Sequence, residues 1–183
     1  FRPPLERFRV DRPRLFVNSN MLPEIRGYAA GDMSDFYAAR QQELMSLAAT
    51  KPGTEADFGM EAAGVAFLYL CEGKTNQFEL ARRLLKDTIA YYRACDRANR
   101  MINYYNFSRI HSIVAYDWLY DGLTPDERRS LGQDIIGNAE AQLTAPGSNS
   151  GDYRHGFYGP LCVLWFAGIA TRGTGIDEVK SEQ

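Results

Sequence analysis

The sequence predicts an all-α protein whose helical hairpins pack in two layers, as about half of an incomplete α/α toroid. Apolar residues recur with the 3.6-residue period of a helix, and no segment alternates convincingly with the two-residue period of a strand. The predicted helices also alternate in character. Those beginning near residues 75 and 125 are amphipathic, whereas those beginning near residues 54, 104 and 156 are nearly apolar all round. An apolar helix must be enclosed and an amphipathic helix covers a surface, so this alternation indicates inner and outer helices.

Residues 1–22 are predicted to be an extended lead segment that lies along a helical domain of residues 23–183. The segment is rich in proline, which lacks a backbone donor and disfavours the helical conformation in the residue before it. The first helix is expected to begin near Pro23 and to bend around Gly27 and Gly31. It should then restart with Asp32 as its N-cap and end near residue 49.

Capping signals set the other expected boundaries. Thr54, with Asp57 in the reciprocal position, predicts the start of the second helix, and Gly73 predicts its end. Thr75 or Asn76 should begin the third helix. The sequence Thr124-Pro125-Asp126-Glu127 is a capping box with proline at the first helical position, and it predicts the start of the fifth.

Composition excludes several classes of function. The 183 residues carry a formal net charge of -2, so the chain has no overall field that would gather nucleic acid. The longest uncharged run, residues 156–171, is shorter than the ~20 residues that span a bilayer, and we expect no signal peptide, since no basic segment followed by an apolar run begins the sequence. The three cysteines are far apart and favour neither a zinc site nor a disulfide framework. We therefore expect no metal, no cofactor, no nucleic acid and no membrane as partners.

We expect the functional residues to lie on one rim of the helical hairpins. If the layers alternate, every connection from an outer to an inner helix lies on the same rim, and two connections hold the polar and aromatic side chains that suit an acidic sugar. Helix N-termini favour anions, and these side chains can stack on sugar rings and bind carboxylates. The predicted substrate-binding residues are Asn103, Tyr105, Asn106, Arg109, Tyr153 and Arg154, and the predicted catalytic residues are His155 and Tyr158.

Several of these residues have a structural alternative. Arg109 lies inside an apolar helix, where a structural ion pair is favoured over contact with a ligand. His111 is expected to be a satisfied core histidine, whereas His155 lies in a glycine-rich loop at a helix start, where imidazole protonation is disfavoured. Asp117 and Asp121 stand at the far end of their helix, and capping or hairpin-turn roles are favoured for them.

Three segments resemble the heparinase II/III-like polysaccharide lyases over about residues 10–175. They are Arg12-Pro13-Arg14-Leu15-Phe16, the run from Ile113 through Tyr116-Asp117-Trp118-Leu119-Tyr120-Asp121 to Arg128, and Arg154-His155-Gly156 before an apolar helix. The resemblance implies an incomplete α/α toroid followed by a C-terminal β-sandwich. It also implies a periplasmic or secreted enzyme that cleaves uronic-acid polysaccharides by β-elimination without a metal or cofactor.

The resemblance also implies roles for single residues. His155 falls at the position of a histidine that helps to neutralise the uronate carboxylate, although Arg154 stands where the family has asparagine. The catalytic tyrosine of the family lies further along the toroid, so Tyr158 and Tyr105 are substitutes. The chain is therefore expected to be part of a longer protein. The remaining alternatives are a glycoside hydrolase on the same toroid, using Asp152 and a second carboxylate, and a non-catalytic helical module that binds a glycan or a protein.

Overall fold

A computed structural model describes residues 10–100, 102, 107–144 and 160–176. Within these residues the chain forms seven α-helices and no strand, so the all-α prediction is confirmed for this part. The helices are α1 (Leu22–Ala30), α2 (Ser34–Ser46), α3 (Gly59–Glu72), α4 (Thr75–Arg97), α5 (Phe107–Leu119), α6 (Pro125–Thr144) and α7 (Pro160–Thr171). Short 3-10 turns at Leu47–Ala49 and Tyr120–Gly122 extend α2 and α5.

Local signals located several boundaries correctly. Gly73 follows α3 with a φ of +71°, the left-handed conformation that glycine adopts without steric cost. The predicted capping box opens α6: Glu127 N donates to Thr124 Oγ1 at 3.2 Å, and Thr124 N donates to Glu127 Oε2 at 3.0 Å. The third predicted helix begins at Thr75. These boundaries depend on residues that are neighbours in sequence, so the sequence alone predicts them.

Two predicted boundaries were wrong. The helix expected from Thr54 begins at Gly59, because the Asp57 carboxylate binds partners on α4 and α5 instead of forming a reciprocal cap with Thr54. Gly27 lies within α1 without interrupting it, and α2 begins at Ser34, with Met33 rather than Asp32 at the N-cap. The helix starts expected near residues 104 and 156 lie outside the described residues.

The helices pack around one core. α3 packs against α4 and α5, α5 packs against α7, and α6 packs against α4 and α7, while α1 and α2 contact α3. The 3.6-residue period predicts a core stripe on α4, and all of its members are buried except the half-buried Phe78: Phe78, Ala81, Leu85, Thr88, Tyr92 and Cys95. The stripe that it predicts on α6 is likewise buried except for the half-buried Leu143: Leu131, Ile135, Ala139 and Leu143. Most residues of α5 are buried as well. The amphipathic and apolar periodicities therefore identified the core faces of these helices.

The expectation that the last helix is enclosed on every side was wrong for α7. Trp165 leaves 58% of its surface exposed, although Val163, Ala167 and Ala170 are buried. An apolar sequence therefore does not by itself place every face of this helix in the core. None of the described helices combines the length and the apolar character needed to cross a membrane. Cys71, Cys95 and Cys162 are all free thiols, and only Cys95 is buried.

The lead segment is fixed to the helical core by Asp117. This buried carboxylate forms an ion pair with Arg12 and accepts hydrogen bonds from Arg14 N at 2.7 Å and Leu15 N at 2.9 Å. Arg12 also donates to the Ala170 carbonyl at 2.5 Å, at the end of α7. Asp117 is thus an internal anchor for residues 12–15, and the capping or hairpin-turn role expected for it was wrong.

Candidate functional site

The starts of α3 and α5 meet at Gly59 and Ser108. A methyl group placed on Gly59 would lie 2.1 Å from the Ser108 carbonyl oxygen, so only glycine allows the two backbones to approach this closely. The connection before Gly59 is held by α4, because Phe58 N donates to Thr88 Oγ1 at 2.9 Å and Gly53 N donates to Asp87 Oδ1 at 3.0 Å. Two of the predicted outer-to-inner connections therefore end side by side.

A polar cluster, formed by the half-buried Asp57 and the buried Tyr92 and Ser108, occupies this junction. Ser108 Oγ donates to Asp57 Oδ1, and Tyr92 OH lies 3.0 Å from both of these oxygens. Gly59 N is 3.3 Å from the same carboxylate oxygen. Burial and the negative charge of Asp57 raise the pKa of Tyr92 well above its usual value. The phenol therefore stays protonated and serves as a hydrogen-bond donor inside the core.

Arg109 lies next to this cluster and is only 2% exposed. Neither its Nε nor its Nη2 has a hydrogen-bond partner among the described residues. Burial lowers the pKa of the guanidinium, while the surrounding Tyr92, Asp96 and Asp57 act in the opposite direction. The expectation that an ion pair satisfies Arg109 is not met within the described part of the chain, where no carboxylate lies within salt-bridge distance of it.

A small cavity of about 10 Å³ adjoins Arg109, with Ser112 and Asn138 also on its wall. That volume is close to the space one water molecule needs. Asn138 Nδ2 donates to Asp96 Oδ2 at 2.7 Å, so the amide already has one partner. The region around Arg109 is therefore polar on several sides, although it lies among apolar core residues.

Of the predicted site residues, only Arg109 belongs to the described part of the chain. The others, Asn103, Tyr105, Asn106, Tyr153, Arg154, His155 and Tyr158, lie outside the described residues, and their roles remain predictions. The sequence did not predict that Asp57 and Ser108 share a cluster, and it placed Tyr92 only on a core stripe. The signals in the sequence that could have indicated this cluster are positions beside unusual residues. Asp57 lies two residues before Gly59, and Ser108 immediately precedes Arg109.

A second concave feature, which we call the apolar groove, lies between α1–α2 and the exposed faces of α3 and α5. Its volume is about 630 Å³. Tyr28, Met33 and Phe36 form the side contributed by α1, α2 and the turn between them, and Phe67, Val114 and Trp118 line the side of α3 and α5. Phe67 and Trp118 lie with ring centroids 5.8 Å apart. The groove thus presents mainly aromatic and aliphatic carbon to a potential ligand.

His111 lines the apolar groove and is half-buried. Its Nδ1 lies 2.6 Å from the Phe107 carbonyl oxygen, one helical turn earlier. Since a carbonyl oxygen can only accept, Nδ1 carries the proton in this contact and Nε2 of the neutral ring is an acceptor. The expected satisfied core histidine is therefore satisfied at one nitrogen and borders a groove.

Comparisons with protein-family models, curated proteins and solved structures found no match to this chain. The function of this chain is therefore inferred from its own residues and motifs.

Proposed function

We propose that the chain is part of a polysaccharide lyase that cleaves a uronic-acid-containing polysaccharide by β-elimination. The proposal includes a two-layer arrangement in which α3, α5 and α7 are inner helices of an incomplete α/α toroid and α4 and α6 are outer helices. It is supported by the packing of α5 against both α3 and α7 and by the packing of α4 against α6. Consecutive hairpins of a toroid have neighbours of this kind.

The observation that carries the proposal is the buried guanidinium of Arg109, whose Nε and Nη2 have no hydrogen-bond partner among the described residues. A buried donor without an acceptor costs free energy, and a charged donor costs more, so such groups call for an anionic or carbonyl partner. Arg109 lies in the first turn of α5, directly after the predicted rim residues Asn103, Tyr105 and Asn106. A positive charge in a poorly screened interior acts over a longer range than one in water. This charge would therefore favour a uronate carboxylate bound at the rim.

The reaction needs three functions from the rim. Arg154 and His155 neutralise the carboxylate of the uronate, which makes the proton on C5 more acidic. A base, Tyr158 or His155, removes that proton. The electron pair of the C5–H bond forms the C4=C5 double bond, and the C4–O bond breaks as a tyrosine or water protonates the leaving oxygen. No metal or cofactor takes part in this sequence.

The proposal also names the substrate, the remaining domains and the location of the enzyme. Its substrate is an acidic polysaccharide or oligosaccharide that contacts Asn103, Tyr105, Asn106 and Tyr153. The remainder of the toroid and a β-sandwich would follow in the parent protein, which would act in the periplasm or outside the cell.

The decisive experiment compares the parent protein with its His155→Ala variant on heparin-like chains, alginate and other uronates. The lyase forms an unsaturated product that absorbs ultraviolet light. We expect the variant to lower turnover by roughly 10²-fold or more, the contribution of a positioned acid-base or electrostatic group, with a nearly unchanged melting temperature. Arg129→Ala, at an exposed position on α6, is the control and should leave turnover unchanged. New reducing ends without ultraviolet absorbance would instead identify a hydrolase.

Arg109→Met separates the two interpretations of Arg109. If the guanidinium serves the substrate, the variant should lose turnover but unfold no more easily than the wild type, because methionine fills much of the space without a charge. If the guanidinium is paired within the protein, breaking the pair should destabilise the fold by about 3–5 kcal/mol. Urea unfolding and turnover measured on the same preparation distinguish these results.

A further inference from the structure

We propose that the apolar groove binds a small uncharged ligand with an aromatic body and one hydrogen-bond donor. In this proposal, Nε2 of His111 accepts the hydrogen bond from that donor. The volume of about 630 Å³ falls within the range of small-molecule pockets, roughly 300–1,000 Å³. Arg109, the described member of the predicted polysaccharide site, does not line this groove, and the inference does not depend on the proposed lyase activity.

The apolar body of the ligand follows from the groove's exposed rings. Phe36 is 67% exposed and Tyr28 is 53% exposed, although both line a concave surface. Covering such rings removes apolar surface from water, and offset or tilted ring pairs add favourable interactions beyond that burial. The tilted arrangement of Phe67 and Trp118 offers faces and edges to an inserted aromatic ring.

The absence of charge on the ligand follows from the polar groups of the wall, which already have partners. Tyr37 OH donates to Glu72 at 2.8 Å, and Trp118 Nε1 donates to the Leu15 carbonyl at 2.9 Å. The charge of Arg40 is paired with Glu43 at 2.6 Å. A charged ligand would lose hydration over the apolar wall, and Arg40, partly exposed and already paired with Glu43, offers an anion only a weak surface interaction in return.

The single donor on the ligand follows from His111. Because Nδ1 is bonded to Phe107, the imidazole geometry directs Nε2 away from that carbonyl, and no hydrogen bond to Nε2 is present within the described part of the chain. The nitrogen can accept one hydrogen bond from a hydroxyl or an amide. A saccharide would bring many hydroxyl groups to a wall that is mainly aromatic and aliphatic carbon, so the groove does not suit the substrate proposed for the rim.

Three biphenyl probes of similar size test each part of this inference by calorimetry at about pH 8. The probe 4-phenylphenol can donate, 4-methoxybiphenyl cannot, and biphenyl-4-carboxylate is charged. One net hydrogen bond should make 4-phenylphenol bind about 3–10-fold more tightly than the methoxy probe. The carboxylate should bind at least about 10-fold more weakly than the phenol. Quenching of Trp118 fluorescence in a Trp165→Phe background locates the bound probe.

His111→Phe is the decisive variant, since it keeps an aromatic ring but removes the acceptor. It should reduce the preference for the phenol to less than about twofold and leave binding of 4-methoxybiphenyl nearly unchanged. Ala29→Trp, which fills the groove from α1, should weaken all three probes. Far-ultraviolet circular dichroism and unfolding midpoints confirm that each variant is folded.

Three outcomes would overturn the inference. The first is an equal affinity for the three probes, and the second is a phenol preference that survives in His111→Phe. The third is occupation of the groove by a second copy of the chain, shown by a dimer in light scattering that Phe36→Glu dissociates while 4-phenylphenol fails to bind.

Discussion

Replacing Asp117 by asparagine should strongly destabilise the fold, because this one carboxylate joins the lead segment to α5. The side chains of Arg12 and Asp117 are 5% and 0% exposed, so solvent does not screen their ion pair. The asparagine carbonyl can replace Oδ2 as the acceptor for Arg14 N and Leu15 N. The NH2 of the asparagine must then face the Arg12 guanidinium, and since both groups are hydrogen-bond donors they cannot bond to each other.

The size of the destabilisation depends on the contacts that Arg12 keeps in the variant. Removing one partner of a buried pair costs about 3–5 kcal/mol. Arg12 retains the Ala170 carbonyl at 2.5 Å and the Tyr120 ring, whose centroid is 3.7 Å from the guanidinium carbon. We therefore expect Asp117→Asn to lower the free energy of unfolding by about 3 kcal/mol, at the lower end of that range.

The assay is urea unfolding followed by far-ultraviolet circular dichroism, with extrapolation to zero denaturant. Asp121→Asn is the matched control, because Asp121 is exposed and lies one turn further along the chain, and its effect should stay within about 0.5 kcal/mol. In a double-mutant cycle with Arg12→Met, the two substitutions should be non-additive by about 1–3 kcal/mol. A loss below about 1 kcal/mol for Asp117→Asn, or additive effects in the cycle, would refute the anchor argument.

Two further predictions concern the junction of α3 and α5 and the buried phenols. Gly59→Ala should destabilise the protein by about 1–3 kcal/mol through its clash with Ser108, whereas Gly137→Ala, with open space around its Cβ, should stabilise it by about 0.5–1 kcal/mol. Equal effects in urea unfolding would contradict the close approach. Burial raises the folded-state pKa of Tyr92 and of Tyr116 above the unfolded value, so stability is full below about pH 10 and falls above it, by up to about 1.4 kcal/mol per pH unit for each phenol. Unfolding midpoints between about pH 9 and 11 should decline less steeply in Tyr92→Phe, and an unchanged slope would disprove this linkage.

The helices were predictable where their signals are local. The stripe on α4 and the Thr124–Glu127 capping box each lie within one helix, so sequence spacing alone determines them. The start of α3 was not predictable from Thr54, because Asp57 binds Tyr92 and Ser108, which lie 35 and 51 residues away in the sequence. Tertiary packing decides whether such a side chain caps a helix or binds a distant partner.

The candidate site was predictable only in part for the same reason. Arg109 stood out as a cation within an apolar helix, and the structure shows it buried without a hydrogen bond to Nε or Nη2 in the described residues. His111 was expected in the core, yet its position beside the apolar groove depends on how α1 and α2 lie over α3, which no local pattern specifies. The sequence therefore indicated which residues are unusual, but it did not predict which residues surround them in the fold.

The anchor at Asp117 also affects how the chain can assemble during synthesis. Arg12 leaves the ribosome before its partners, because Asp117 lies 105 residues later and the Ala170 carbonyl 158 residues later. Contacts of such long sequence separation form late, because a long loop must close before they can contribute. The lead segment must therefore wait in solution until most of the helices exist. A truncation that removes residues 10–17 as a dispensable tail would take Arg12 from Asp117 and uncover the apolar surface that Leu15 and Val17 bury, so recombinant versions that begin at α1 should accumulate as aggregates.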